Sequence, residues 1–396
     1  MASPVDTSVK FYREDFPGAP TLNGVAGSLI GLLDACLCTG FGLRSATSLV
    51  VSGGVATLTL ASDAKNVNLL HSVILVEGSS ITALNGEQRV TAVSSTELKF
   101  ATAAADGTAT GSITVKTAPA GWEKKFSGTN KAVFKSLSPE ANTSYLWVND
   151  TGTINANVRA YEAMTDVDTG TGAAPTVVES ATGGFWAKSN AGNAGANYWS
   201  LFSDARAFYF CPVPESNGNP LRIGRGCYFF GDVVAYKSAD AFAVALLSSM
   251  SPPASMAGNG NVFRSAQDAS ASRLLRSYTG LGTAVAVFAP PVCGSLTAFS
   301  GVDALLGVFP PPTDGGLRLS KIQVMESASF GASAVMRGHF PGVYHVPQSN
   351  LNASFAPGDL VTISGRMFYA TYADSPFNAN SPEGGRGFFD VTGPWR

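Results

Sequence analysis

The chain has 396 residues, room for two or three domains and a large core. It is 45% hydrophobic and only 14% charged, against roughly 25% charged in an average soluble domain, and 26 Lys and Arg nearly balance 28 Asp and Glu. That balance gives no whole-protein field for gathering nucleic acid or anionic lipid, and no apolar stretch approaches the roughly 20 residues that span a bilayer, so neither nucleic acid nor membrane insertion is expected.

The opening Met1-Ala-Ser-Pro-Val-Asp-Thr has no basic stretch followed by an apolar one, so the chain is expected to be made and folded in a cytoplasm. Residues 1–22 carry Pro4, Pro17 and Pro20 and read as an extended arm that runs along a neighbour. In the following stretch Leu29, Leu33, Cys36 and Leu37 recur at helical spacing, with Asn23 or Ser28 as cap and Gly40 at the C-terminal end. About three helical turns are expected there.

From Ser48 the pattern changes to short alternating runs, Val55-Ala-Thr-Leu-Thr-Leu, Ser72-Val-Ile-Leu-Val-Glu, Gln88-Arg-Val-Thr-Ala-Val and Gly111-Ser-Ile-Thr-Val-Lys. Gly53-Gly54, Asn85-Gly86 and Asp106-Gly107 fall between them as hairpin signals. Residues 48–116 are expected to form a β-sandwich or barrel module of five to six strands. Beyond Pro119 come aromatic-rich runs that read as strands, among them Tyr145-Leu-Trp-Val, Tyr198-Trp-Ser-Leu-Phe, Ala207-Phe-Tyr-Phe-Cys and Cys227-Tyr-Phe-Phe. Ser238-Ala-Asp-Ala-Phe-Ala-Val-Ala-Leu-Leu is expected as a short helix capped by Ser238, and 251–275 as a long connection. Strands resume at Ala284-Val-Ala-Val-Phe, Leu317–Val324 and Asp359–Tyr369. The fold expected is therefore mainly β: β-sandwich or barrel modules with one short N-terminal helix. The domains expected are 1–47 (arm plus helix), 48–116, and an aromatic-rich body over 117–396 that divides, if at all, near 250–275.

The chemistry-bearing residues give no enzyme signature. Gly331-Ala-Ser-Ala-Val approaches a nucleophile elbow but lacks its last glycine. His339 and His345 flank Pro341-Gly342, a turn that brings two ligands together across a hairpin, but no Cys or carboxylate stands at ligand spacing; with His71 they read as surface or core histidines. Asp166 and Asp168 open like a calcium loop, yet Val177 stands where the bidentate Glu belongs, so a Gly/Thr loop is expected. Cys36 and Cys38 read as small buried hydrophobes, and five scattered cysteines imply no disulfide framework. Phosphate-cradling glycine motifs are absent. A glycosidase needs only two carboxylates at a fixed separation, which spacing cannot exclude. Trp122, Trp147, Trp186, Trp199, Tyr198 and Tyr209 suit either a saccharide platform or, by default, strand packing. Asn142, Asn149 and Asn352 head glycosylation sequons that carry no meaning without secretion. No catalytic, cofactor-binding or metal-binding residue is assigned.

The segments 19–42, Leu84-Asn-Gly-Glu-Gln-Arg-Val-Thr-Ala-Val, Ala118-Pro-Ala-Gly-Trp-Glu-Lys-Lys-Phe, Met164-Thr-Asp-Val-Asp-Thr-Gly-Thr-Gly and Asp204-Ala-Arg-Ala-Phe-Tyr resemble a poorly characterised family of virion structural proteins in tailed bacteriophages, over roughly the first 240 residues. The resemblance implies a particle component, and it transfers no catalytic residue. Together with the charge-poor composition it sets the expectation of a homo-oligomeric baseplate or tail-tip protein, in contact with itself, with other phage structural proteins and with a host receptor. The alternatives are a capsid decoration or head fibre protein, and a polysaccharide-degrading tail enzyme.

Overall fold

The computed structural model describes residues 3–213, 226–250, 261–263, 272–294, 303–327, 334–372 and 386–396. The chain is mainly β, with several antiparallel sheets of the sandwich class; among the described residues there is one short α-helical stretch and no closed barrel. Among the described residues no helix is long and apolar enough to cross a membrane.

The helix is built differently from its sequence pattern. It runs over Ser28–Leu33 and widens into π-helical turns over Asp34–Thr39, burying Leu29, Leu32, Leu33, Cys36 and Leu37. Neither expected cap acts: the Asn23 side chain accepts from Val25 N and the Ser28 hydroxyl donates to the Asn23 carbonyl. The free N–H groups of Leu29 and Ile30 are instead accepted by Asp150 Oδ2, at 2.7 and 3.3 Å. Gly40 does end the helix with a positive φ of 71°, and a side chain there would collide with the Thr117 carbonyl.

The N-terminal segment is extended, but it lies on its own chain. Lys10–Arg13 pairs antiparallel with Tyr198–Ser203 at the edge of the largest sheet. Its prolines fall outside those four residues, so the pairing is uninterrupted. Val9, Phe11, Tyr12, Phe16 and Leu22 are buried in the main core, and the Tyr12 hydroxyl donates to the Ala118 carbonyl at 2.9 Å. The expected arm along a neighbour is thus an integral core element.

An eight-stranded sheet occupies Phe41–Thr117; seven of its strands, from Ser48–Ser52 to Thr114–Thr117, stand where five or six were expected over 48–116. Gly53 and Gly54, with φ of 57° and 76°, make the two-residue hairpin between Ser48–Ser52 and Val55–Thr59. The strand Gly86–Val93 pairs through its first half with Val73–Glu77 and through its second with Glu97–Ala101. The bulge between the two halves lets the sheet fold over Leu58, Val76, Val90, Leu98 and Phe100.

The largest sheet has 13 strands and reaches from Lys10–Arg13 to Leu360–Ile363. Its central strands Ala207–Val213 and Tyr228–Asp232 are covered on both faces, which explains their unbroken apolar runs. One face meets Trp122 and Trp186, with ring centroids 5.4 Å and 6.0 Å from Phe208. The other meets the far end of the same sheet, where Tyr209 lies 4.9 Å from Phe389 and Phe229 lies 4.9 Å from Phe340. The helix expected after Ser238 is likewise a central strand, Val244–Leu247, paired with Tyr228–Asp232 and Arg273–Leu274. Every side chain of that strand is buried, so a run apolar on all sides carries no period that separates strand from helix. Most of the expected connection at 251–275 lies outside the described residues. The run Asp359–Tyr369 is a hairpin, Leu360–Ile363 and Arg366–Tyr372, turned by Ser364 and Gly365 at φ of 50° and 79°.

A five-stranded sheet, in the order Trp122–Gly128, Lys131–Ser136, Tyr145–Asn149, Asn155–Tyr161, Gly184–Ala187, packs over the central strands. Phe134, Leu146, Val148, Val158, Ala160 and Trp186 form its inner face.

Candidate functional site

The structure separates the residues that the sequence offered as sites. Pro341 and Gly342 make no turn, because they lie inside one eleven-residue strand, Val335–His345. The strand bulges there, with Gly342 at a φ of 66°, and its flanks pair with different neighbours, so His339 lies opposite Gln323 and His345 opposite Ser320 rather than facing each other across a hairpin. His345 Nε2 meets Asp303 Oδ2 at 2.9 Å, and His339 Nε2 meets Lys321 Nζ at 3.2 Å. Burial, reinforced by the Lys321 charge, lowers the His339 pKa to about 4, so the ring is neutral at pH 7 and accepts from the lysine. His71 contributes its carbonyl to Arg89, and burial lowers the pKa of its ring as well.

Asp166 and Asp168 lie at the tip of a small hairpin, Ala163–Asp166 with Thr169–Thr171, where Asp168 is bound by Lys131 at 2.7 Å. Among the described residues, no group of three or more His, Cys, Asp or Glu could hold a metal ion. Cys36 is buried and Cys38 partly so; burial, with Asp34 second, pushes Cys38 up to about 12, so it stays a thiol. Residues 331–333 of the nucleophile-elbow candidate lie outside the described residues.

Of the six aromatics, Trp122, Trp186, Trp199 and Tyr209 are core residues. Each polar end has an internal partner: the three indoles donate to the carbonyls of Asp204, Leu247 and Pro20, and the Tyr209 hydroxyl to that of Pro341. Trp147 and Tyr198 are half-buried. Trp147 stands on the outer face of the five-stranded sheet, away from the core.

Two features escaped sequence reasoning. The first is a set of internal polar locks. Among the described residues six aspartates are buried, and each is bonded to a basic side chain: Asp150 to Lys188, Asp204 to Arg396, Asp232 to Arg206, Asp240 to Arg337, Asp303 to His345 and Asp390 to Arg366. Burial raises the pKa of Asp150 and of Asp232, and their hydrogen bonds oppose that shift. These carboxylates join distant segments and are occupied in doing so. Nothing local in sequence signals them, since their partners come from elsewhere in the chain.

The second is an exposed apolar patch. Tyr236, Tyr278, Leu281 and Met336 are all about half exposed or more, Leu281 most at 73%. They are gathered by backbone and ion-pair contacts: Tyr236 N donates to the Arg337 carbonyl at 2.9 Å, and Tyr278 N to Glu326 Oε2 at 2.8 Å. Glu326 in turn binds Arg337 at 2.7 Å, and Lys237 Nζ reaches the Tyr278 carbonyl at 2.9 Å. The charges around the patch are paired, and of its rings that of Tyr236 has internal contacts: its hydroxyl donates to Gln323 Oε1 at 2.7 Å and its ring lies 5.8 Å from that of His339. No family model matches the chain, and no curated protein sequence matches it.

Proposed function

We propose that this chain is a structural component of a tailed-phage virion, assembled as a homo-oligomer at the baseplate or tail tip, where it joins neighbouring proteins and contacts the host surface. The observation that carries the reading is the apolar patch of Tyr236, Tyr278, Leu281 and Met336 on a chain with only 14% charged residues. Such side chains favour coverage by protein, and charge depletion at the centre marks permanent interfaces. The internal locks on the six buried aspartates among the described residues support a part built for rigidity rather than for turnover. The sequence resemblance to virion proteins points the same way.

Immunogold electron microscopy of intact particles, with antibody against residues 120–396, tests the reading. Label at the distal tail supports it. Label over the head makes the protein a capsid decoration instead, and unlabelled particles overturn the virion assignment.

A further inference from the structure

Among the described residues, five of the six buried aspartates are bonded to Arg or His, and one, Asp150, to a lysine. Asp150 and Lys188 are both fully buried, and Lys188 Nζ is in contact with Asp150 Oδ1. The other Lys–carboxylate pairs among the described residues all keep at least one side chain in water. The difference is chemical. A guanidinium keeps its proton, whereas a lysine that hands a proton to the carboxylate becomes an amine nucleophile. We propose that Lys188 Nζ and Asp150 Cγ are joined by an amide bond that the folded chain forms on itself.

Both residues are pinned through their backbones. Asp150 N donates to the Asn130 carbonyl at 2.8 Å, and the Asp150 carbonyl accepts from Gly27 N at 2.9 Å. Lys188 N donates to the Ile154 carbonyl at 3.0 Å, and the Lys188 carbonyl accepts from Asn197 Nδ2 at 3.2 Å. The amine and the carboxyl therefore meet as a fixed intramolecular pair, at an effective concentration far above any reached in solution. Asp150 Oδ2 accepts from the N–H groups of Leu29 and Ile30 at 2.7 and 3.3 Å. Two backbone donors on one carboxyl oxygen are the arrangement that stabilises the oxyanion of acyl transfer. Burial raises the Asp150 pKa, which favours the protonated acid that an amine attacks.

The atoms balance with no reagent beyond the pair itself. One proton passes from Nζ to Oδ1, giving amine and acid. The Nζ lone pair attacks Cγ, and the carbonyl electron pair moves onto Oδ2, where the Leu29 and Ile30 N–H groups hold it. A second Nζ proton moves to Oδ1, the Cγ–Oδ1 bond breaks, and Oδ1 leaves as water while the carbonyl re-forms at Oδ2. The product keeps partners already in place: Oδ2 still accepts from Leu29 and Ile30, and the one remaining Nζ proton is donated to the Val25 carbonyl, now 2.8 Å from Nζ. Two buried charges are replaced by a neutral amide whose polar atoms are all bonded, which removes the desolvation cost of the ion pair. Once formed, the bond also withdraws Asp150 from the groups that titrate.

The inference goes beyond the virion reading and does not rest on it, because the bond is read from the isolated full-length chain. The test is mass spectrometry of the purified protein, denatured and reduced, followed by proteolysis. The expected chain is lighter than its sequence by one water, and digestion yields a branched peptide whose fragment ions place the link between Lys188 and Asp150. Lys188→Arg keeps the cation but carries no lysine amine, so that variant should show its full sequence mass and melt below the parent, since the stretch from 150 to 188 is no longer closed. A parent chain of full sequence mass, with Asp150 and Lys188 recovered in separate linear peptides, overturns the proposal, as does a water loss that maps elsewhere. The mass of the parent decides the matter whether or not a variant folds.

Discussion

The Arg89 guanidinium donates to the carbonyl of Val391 at 2.8 Å, across 302 positions of the chain. Its remaining N–H groups reach the carbonyls of Asp6, Val9, His71 and Thr392, at 2.7 to 3.2 Å. All five donors of one side chain therefore hold backbone from the N-terminal segment, the eight-stranded sheet and the C-terminus. Burial lowers the Arg89 pKa, yet no carboxylate is bonded to it, so carbonyl dipoles carry the charge. Replacing Arg89 with Met leaves these acceptors without donors, each lost donor costing about 1–3 kcal/mol where the acceptor stays dry. A loss of at least about 3 kcal/mol in urea denaturation is expected, with Arg89→Lys intermediate. A Met variant as stable as the parent would show that water replaces the guanidinium.

Deleting the first 16 residues tests whether the N-terminal segment belongs to the core. Val9, Phe11, Tyr12 and Phe16 are buried, and such side chains contribute about 1.5–3 kcal/mol each. Their sum is comparable with the whole stability of a typical domain, about 5–15 kcal/mol. The truncated chain is expected to aggregate or to lose its cooperative melt by calorimetry. A truncated chain with the parent's melting temperature would restore the picture of a detachable arm.

The way these elements were legible differs from one to the next. Gly53-Gly54 between two alternating runs announces its hairpin, because a two-residue turn with positive φ at both positions is a local requirement. The segment Val9–Phe16 announces nothing, since its burial depends on Tyr198–Ser203, far along the chain. Val244–Leu247 misleads, because a strand covered on both faces loses the period that identifies it. Pro341-Gly342 reads as a hairpin turn locally; Gly342 does take a positive φ of 66°, but as part of a bulge inside one strand whose two flanks pair far along the chain.

Acid is expected to weaken the fold partly through His339. Its pKa of about 4 lies below the unfolded value near 6.5, so the unfolded chain binds more protons in between. The contribution of the neutral ring is fully present above pH 6.5 and is lost as pH falls through about 4. Asp150 and Asp232, whose pKa values are raised by burial, act in the opposite sense at the acidic end. The comparison that isolates the histidine is therefore His339→Asn against the parent, melted from pH 7.5 to 4.5. The parent should lose more than the variant on acidification, and parallel curves would mean that His339 titrates normally.

The apolar patch makes a prediction about assembly. Leu281→Glu with Met336→Glu places charge on exposed side chains, where substitutions usually alter monomer stability by no more than about 0.5 kcal/mol. Light scattering after gel filtration should find the parent as an oligomer and the double variant as a smaller species with the same circular dichroism. An unchanged assembly size would move the interface elsewhere on the chain.

Cys211 and Cys227 hold free thiols on adjacent strands, with sulfurs 2.7 Å apart in the core. Burial pushes the Cys227 thiol well above its ordinary pKa, which leaves that sulfur little thiolate to react. Added diamide is the oxidant for the test: its azo bond takes up two hydrogens as the two thiols become one disulfide. Slow loss of these two thiols, with Cys36 still free, is the expected pattern in a peptide map under non-reducing conditions. Because the bridge closes the stretch between neighbouring strands, the oxidised chain should melt higher than the reduced one, and Cys211→Ser should abolish the difference. Oxidation that lowers the melting temperature would mean that the strands must distort to bring the two sulfurs into bonding geometry.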